Sequence, residues 1–463
     1  MAKGGLVGSL GAGMNASSGH VHGGGAPGFR TWMTPFLLIP VLPKVKVLSL
    51  GATVILLDDF VLLLSMALAI AWLVAQAVVS GSLRLSFSRP GLLFLALIAY
   101  KATTLAVLAV VLPSSDLEGI GSGVLLGEGL LVLGKSSIFL LIYLLLFTHL
   151  RTIEALHKAI YWYLVCVSVV AAIGLLQFFY LGHDTITSTF RNIYLLGEPM
   201  PIGWGVDDPW FEATAVGHEH LGAFMILAAS VLAGMLLCGW PEKKIHRFSI
   251  QVLCASCVIG IIFSSSRGTW IGASMAMVVL VVLSLRGGRF SHLLIALIIA
   301  ALGLVLLQWW KGVDLIAYVE NRVVGLLAMW DGKIEDDSGK HRLNLLWWLL
   351  GIFWEHPLIG LGPGGAGRIA EGQWIRELVE GGIVGTVIFI FIMVRAGLIA
   401  LSTYDYSSDK LFKGCSMGFL CGLSGLLTQS MFTELFILTK VATPFWVVTA
   451  IVHRFYFIEQ RGT

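Results

Sequence analysis

The chain has 463 residues, 57% of them hydrophobic and only 12% charged, with a mean hydropathy of +0.88 and a formal net charge of +3. Soluble domains carry about 25% charged residues, and nucleic-acid binders need a concentrated basic surface; both classes are excluded. What remains is an all-α, polytopic membrane protein, whose length counts membrane spans rather than globular domains.

Residues 1–30 are rich in Gly, Ser and His and contain no apolar run. They read as a disordered cytoplasmic tail in which His20 and His22 are solvated. Residues 31–463 read as one transmembrane domain. Its first span is expected within 33–57 as a broken or tilted helix, because Pro43, Lys44 and Lys46 interrupt the apolar run. Further apolar runs cover 58–80, 90–113, 134–150, 156–181, 217–239, 248–265, 269–285, 291–310, 380–401, 411–431 and 437–456. A helix of about 20 apolar residues crosses the bilayer core, so the expected total is about twelve spans.

Basic residues follow the even-numbered spans: Arg84 and Arg89, Arg151 and Lys158, Lys243, Lys244 and Arg247, Arg286 and Arg289, Lys410 and Lys413, then Arg454 and Arg461. By the positive-inside rule these loops and both termini are cytoplasmic. Lys44 and Lys46 run against the pattern. The opposite, external face then owns two long polar segments, 182–216 and 311–379. Loops of such length inside a compact protein usually carry function. Within the second, LNLLWWLLGIFW at 343–354 is apolar yet too short to span, and predicts a helix lying at the membrane interface with Trp347, Trp348 and Trp354 as anchors. Cys254 and Cys257 form a C-x-x-C inside an apolar helical run and read as two buried thiols rather than a metal or redox pair.

Five arginines fall on the external side: Arg191, Arg267, Arg342, Arg368 and Arg376. A guanidinium stays charged and donates bidentate hydrogen bonds, so arginines converging at a membrane surface suit a lipid phosphate or diphosphate. Gly360-Leu361-Gly362-Pro363-Gly364-Gly365 is a tight glycine loop, either bringing amides to an anion or ending the interfacial helix. It has no Walker lysine and no flanking strand, so it is not a nucleotide site. Carboxylates available as a base are Glu371, Asp207, Asp208, Glu212 and Glu219, the last flanked by His218 and His220. The two histidines are two residues apart and do not share a helix face, so no metal is expected there. Lys101, apparently inside the third span, either snorkels, pairs with an acid, or marks a transport pathway.

SSSRGTWIG, HRLNLLWWLLGIFWEHPLIGLGPGG, QWIRELVEGGIVG and GHEHLGAFMIL resemble, in order and spacing, elements of the O-antigen ligase and Wzy-type O-antigen polymerase superfamily. The resemblance covers about 185–400. It implies a GT-C-like membrane glycosyltransferase of the bacterial inner membrane, with its site facing the periplasm and no cofactor. The implied donor is a glycan on undecaprenyl diphosphate, and the acceptor is a glycan or lipid-linked hydroxyl. Other polysaccharide assembly proteins are implied as partners. Arg267 and Arg342 match the superfamily's diphosphate-binding arginines, and Arg191 lies in the corresponding loop. Where ligases keep a histidine before the L-x-E-x-G element, this chain has Glu371. Either Glu371 replaces it as base, or the protein is a polymerase with a different base; the missing histidine favours a polymerase over a ligase, and Glu371 is the base expected. A lipid or polysaccharide transporter is the rival from another class. His356, in the HPL element, reads as structural.

Overall fold

A computed structural model describes residues 36, 39–42, 46–50, 53–80, 88–111, 122–180, 218–264, 266–289, 291, 337–367 and 372–462. After a 3-10 turn at Ile39–Val41 come two strands, β1 (Lys46–Leu50) and β2 (Thr53–Leu56). The helices follow as α1 (Leu57–Ser80), α2 (Arg89–Val111), α3 (Ser122–His149), α4 (Ile153–Tyr180), α5 (His218–Leu237), α6 (Lys244–Phe263) and α7 (Arg267–Arg286). Beyond the second long polar segment lie α8 (Asp337–Glu355), α9 (Gln373–Tyr406), α10 (Lys410–Gln429) and α11 (Thr439–Gly462). Nine of these, α2–α7 and α9–α11, are long and apolar enough to cross a membrane. The protein is therefore a multi-pass helical membrane protein. The backbone of α1 is also helical over 24 residues, while the span expected at 291–310 lies outside the described residues.

The region 33–57 departs from expectation. Instead of a broken transmembrane helix, Lys46–Leu50 pairs antiparallel with Thr53–Leu56. Val47, Thr53, Val54 and Ile55 are β-branched and favour strands, and Pro40 and Pro43 prevent a long helix from forming ahead of them. The turn before the hairpin is held by Lys440 Nζ, which donates to the Leu42 carbonyl.

Successive helices alternate in direction from α1 to α7 and again from α9 to α11, giving the bundle two chemically distinct ends. At one end, Arg454 Nε donates to the Leu150 carbonyl, Lys410 pairs with Glu242, and Arg286 pairs with Asp405. Arg89, Arg151, Lys243, Lys244, Arg247 and Lys413 sit at the same helix termini, making this the basic end. At the other end lie the N-termini of α1, α5, α7, α9 and α11 and the C-terminus of α10. Glu219, Glu377, Glu380, Glu434 and Asp59 gather there.

The innermost spans are α5, α10 and α11. Helices in lipid gain nothing from burying apolar surface against each other and associate through close packing. Small residues make that possible here: Gly414, Gly418 and Gly422 line one face of α10 against α5. A Cβ on Gly414 would lie 2.5 Å from the Met235 Cα, and one on Gly418 would strike the Ser230 carbonyl. Gly425 and Gly272 bring α10 against α7 in the same way. Deeper in the basic half, Ser88, Tyr143 and the buried His453 form a hydrogen-bonded chain linking α2, α3 and α11, at 2.6 and 2.8 Å. Cys254 and Cys257 are free thiols on α6, half-buried and buried respectively.

Helix α9 is broken at Gly382, whose φ of 58° and ψ of −163° suit glycine alone. A break leaves backbone groups without helical partners, which lipid cannot satisfy. The glycine loop after α8 supplies them. Leu361 N and Gly362 N donate to the Val379 and Glu380 carbonyls, at 2.8 and 2.9 Å. Ile383 N and Val384 N donate back to the Pro357 and Leu358 carbonyls, at 2.8 and 3.2 Å. Tyr100 Oη caps the junction by donating to the carbonyls of Ile359 and Gly381. Behind the loop, Leu349 and Phe353 of α8 pack on Ala366, Ile375 and Val379. Trp347, Trp348 and Trp354 are left exposed, as expected of an interfacial helix.

Candidate functional site

The short turn between α10 and α11, residues 430–438, is the meeting point of the polar end. The Ser430 carbonyl accepts from Gln373 N at the start of α9, 2.8 Å away. Gly372 packs so closely on the Met431 carbonyl that a Cβ would lie 2.6 Å from it. Phe432 covers Gly268, next to Arg267; a Cβ there would be 3.1 Å from the Phe432 Cβ. Glu434 accepts from Arg376 Nε. Phe436 N donates to Gln373 Oε1 at 3.2 Å. One step back, Gln429 Nε2 donates both to the Glu219 carbonyl at 2.8 Å and to Thr269 Oγ1 at 2.9 Å. The SSSRG and QWIRELVEGG segments thus close on this turn, and GHEHLG closes on Gln429 at the end of α10 just before it.

Beneath it lies a buried ionic cluster. Lys101 Nζ from α2 sits 3.0 and 2.9 Å from the two Glu377 oxygens, with both side chains 3% exposed. Gln373 Nε2 also donates to Glu377, at 2.9 Å. Arg376 uses every face of its guanidinium: Nε to Glu434, Nη1 to Glu380 at 2.7 Å, and Nη2 to the Gly367 carbonyl at 2.7 Å. Glu380 Oε1 also accepts from Gly364 N at 3.0 Å, while its Oε2 is buried with no hydrogen bond among the described residues. Two cations therefore face three carboxylates. Buried charge is costly unless paired, so this cluster favours holding one proton. The carboxylate best able to exchange it is Glu434, whose side chain is 17% exposed against 0% for Glu380. Burial pushes the Glu434 carboxyl up to about 7, with the neighbouring Arg376 acting in the opposite sense.

The expected site residues are distributed unevenly around this turn. Arg267 is half-buried as the first residue of α7, after Ser266, whose side chain accepts from Thr269 N and caps the helix. Glu219 opens α5, its carboxylate 3.9 Å from His220 Nε2. Arg376, expected to offer its fork to a phosphate, is 5% exposed and committed to two carboxylates and a carbonyl. His218 and Arg342 lie on the backbones of α5 and α8, their side chains outside the described residues. Arg191, Arg368, Glu371, Asp207, Asp208 and Glu212 lie outside the described residues altogether. The glycine loop uses the amides of Leu361 and Gly362 on α9 and that of Gly364 on Glu380. Lys101 resolves as the partner of an acid. No group of three or more His, Cys, Asp or Glu residues among the described ones could hold a metal ion.

Sequence reasoning missed Gln373, Glu377, Glu380, Gln429 and Glu434. A signal was present for three of them: 373, 377 and 380 repeat at helical spacing, placing three polar groups on one face of an otherwise apolar helix.

Fold and site together define a class: a multi-pass helical membrane protein with a buried, charge-rich centre at one end. Neither the known protein-family models nor the curated protein sequences include a match to this chain.

Proposed function

We propose that the protein is a membrane glycosyltransferase. It would move a glycan from undecaprenyl diphosphate to an acceptor hydroxyl, most readily extending lipid-linked repeat units of a surface polysaccharide. The observation that carries this reading is the convergence of three of the family-like segments on the end of α10 and the turn after it, residues 429–438, with Arg267 half-buried next to Gly268, which Phe432 covers. A half-buried guanidinium at a membrane surface suits a lipid diphosphate, to which it can donate bidentate hydrogen bonds. In this reading the basic end lies in the cytoplasm, and the turn faces the periplasm.

Arg267 and Arg342, with Arg191 from the preceding long loop, bind the diphosphate and neutralise charge developing on it as the sugar departs. Such preorganised electrostatic stabilisation is usually the largest catalytic term. Arg368 lies in the segment entering α9, and Glu219 with His218 at the start of α5; these line the glycan path. The ligase-type pattern puts Glu371 at the base position, directly before Gly372. Arg376 contributes as the organiser of the cluster, its donors being occupied. The Lys101–Glu377 pair weakens the transport alternative, since Lys101 is answered within the bundle.

The test is transfer by purified protein from an oligosaccharide on a polyprenyl diphosphate. Lengthened lipid-linked chains support polymerisation; product only on adding a second acceptor supports ligase-type transfer. Movement of intact lipid without a new glycosidic bond refutes both.

A further inference from the structure

Phe432, on the turn that carries Glu434, covers Gly268 next to Arg267. Glu371 adjoins Gly372, which rests on the Met431 carbonyl; Glu434 follows three residues after Met431. Glu434 is wired to a charge reservoir. Its partner Arg376 also holds Glu380, whose second oxygen is buried and unbonded among the described residues. Through Gln373 the same turn reaches Glu377 and Lys101.

We infer that Glu434 is the proton acceptor for the incoming hydroxyl, and that the Arg376–Glu380–Glu377–Lys101 cluster behind it tunes that role. This rests on the glycosyl-transfer reading. In the step, the acceptor oxygen forms a bond to the anomeric carbon, and the bond from that carbon to the diphosphate oxygen breaks. The electron pair leaves with polyprenyl diphosphate, and the hydroxyl proton passes to the Glu434 carboxylate. Glu434 then returns the proton to water through its exposed edge.

Three features support the assignment. Glu434 alone among the cluster carboxylates keeps a substantial exposed edge. Its burial otherwise holds it near neutrality, where a base is most effective at ordinary pH. Phe432, two residues before it, rests on the residue next to Arg267, which brings proton acceptor and diphosphate ligand to one turn. Among the described residues, the charged and titratable groups at this end of the bundle include Arg376, Glu377 and Glu380 on α9, Lys101 on α2, Arg267 on α7, and Glu219 with His220 on α5. Lys440 on α11 is engaged with the Leu42 carbonyl, and Asp59 on α1 lies 3.3 Å from Lys135 and bonds Thr439.

The experiment uses the full chain in lipid nanodiscs and reads two quantities. Infrared difference spectra across roughly pH 5–9 follow protonated carboxyls directly, a window wide enough to contain a perturbed carboxylate. A band titrating near neutrality is expected in the wild type, absent in Glu434→Gln and shifted in Glu434→Asp. Transfer from polyprenyl-diphosphate oligosaccharide gives the second readout. Glu434→Gln should lower kcat on the order of 10²–10⁴-fold, with little change in KM for the donor. It should also abolish the rise of kcat with pH, and Glu434→Asp should restore part of the rate. If Glu434→Gln keeps its rate and pH limb while Glu371→Gln loses them, the assignment is overturned. If the wild type transfers nothing while the infrared titration persists, the transfer reading itself fails, and Glu434's catalytic role fails with it.

Discussion

Replacing Lys101 by methionine keeps most of the side chain's volume and removes its charge. In the wild type, Lys101 touches both oxygens of Glu377, and the pair is almost fully enclosed. After the change Glu377 keeps one hydrogen bond, from Gln373, and the cluster holds three carboxylates against Arg376 alone. Removing one partner of a buried ion pair costs about 3–5 kcal/mol, because the other charge stays behind uncompensated. That corresponds to a fall on the order of 10²–10³-fold or more in the folded-to-unfolded ratio. In a detergent-solubilised thermal melt it should appear as a midpoint lower by roughly 3–5 °C. The informative arm is the double variant Lys101→Met/Glu377→Gln. It leaves one cation facing two carboxylates, the same surplus as the wild type, and the amide still accepts from Gln373. It should recover to within about 1–2 kcal/mol of the wild type, since neighbouring groups couple and do not add. A double variant no better than Lys101→Met would refute the reasoning, because it would mean that Glu377 was never the stranded charge.

Other outcomes follow from the same geometry. Gly382→Ala places a Cβ in a backbone region open only to glycine and against the Leu358 carbonyl, so it should cost about 1–3 kcal/mol before the clash is counted, read as lost monodisperse protein on size exclusion. Gln429→Met removes the two donors that tie α10 to the starts of α5 and α7, and should cost about 1–3 kcal/mol in the same melt. Glu434 makes stability pH-dependent: a carboxyl raised from 4.5 to about 7 on folding binds its proton more tightly in the folded state. The wild type should therefore lose stability relative to Glu434→Gln as pH rises from 4.5 to about 7, and stay level above. Arg267→Ala and Arg342→Ala should each lower transfer at least on the order of 10²-fold while leaving the melt within about 1 kcal/mol.

Most membrane helices were legible because apolar runs of sufficient length leave few alternatives in lipid. The apolar segment 343–354 lies within the observed helix α8, for the same reason. The hairpin at 46–56 was obscured because a short run of Val, Leu and Ile reads equally as strand or buried helix. The ionic cluster was illegible for a different reason. Lys101 and Glu377 are 276 residues apart, and nothing in either segment names the other. Glu434 lies in the few residues between the runs 411–431 and 437–456, with no pattern of its own to single it out. For Arg376 nothing in the sequence hints at its protein partners, because Glu434 and Gly367 meet it only in the fold.

The glycine seam between α5 and α10 has a consequence for how the polar end keeps its dimensions. Where backbones touch directly, no side chain remains to rotate, compress or repack. The separation between the GHEHLG segment and the 430–438 turn is thus set by the thickness of two bare helices, as a fixed jig sets the distance between two tools. Most cores absorb a changed methyl group by small local adjustments. This seam has none to offer, so a methyl added at Gly414 or Gly418 would be passed along the helices and felt as a widened gap at the turn.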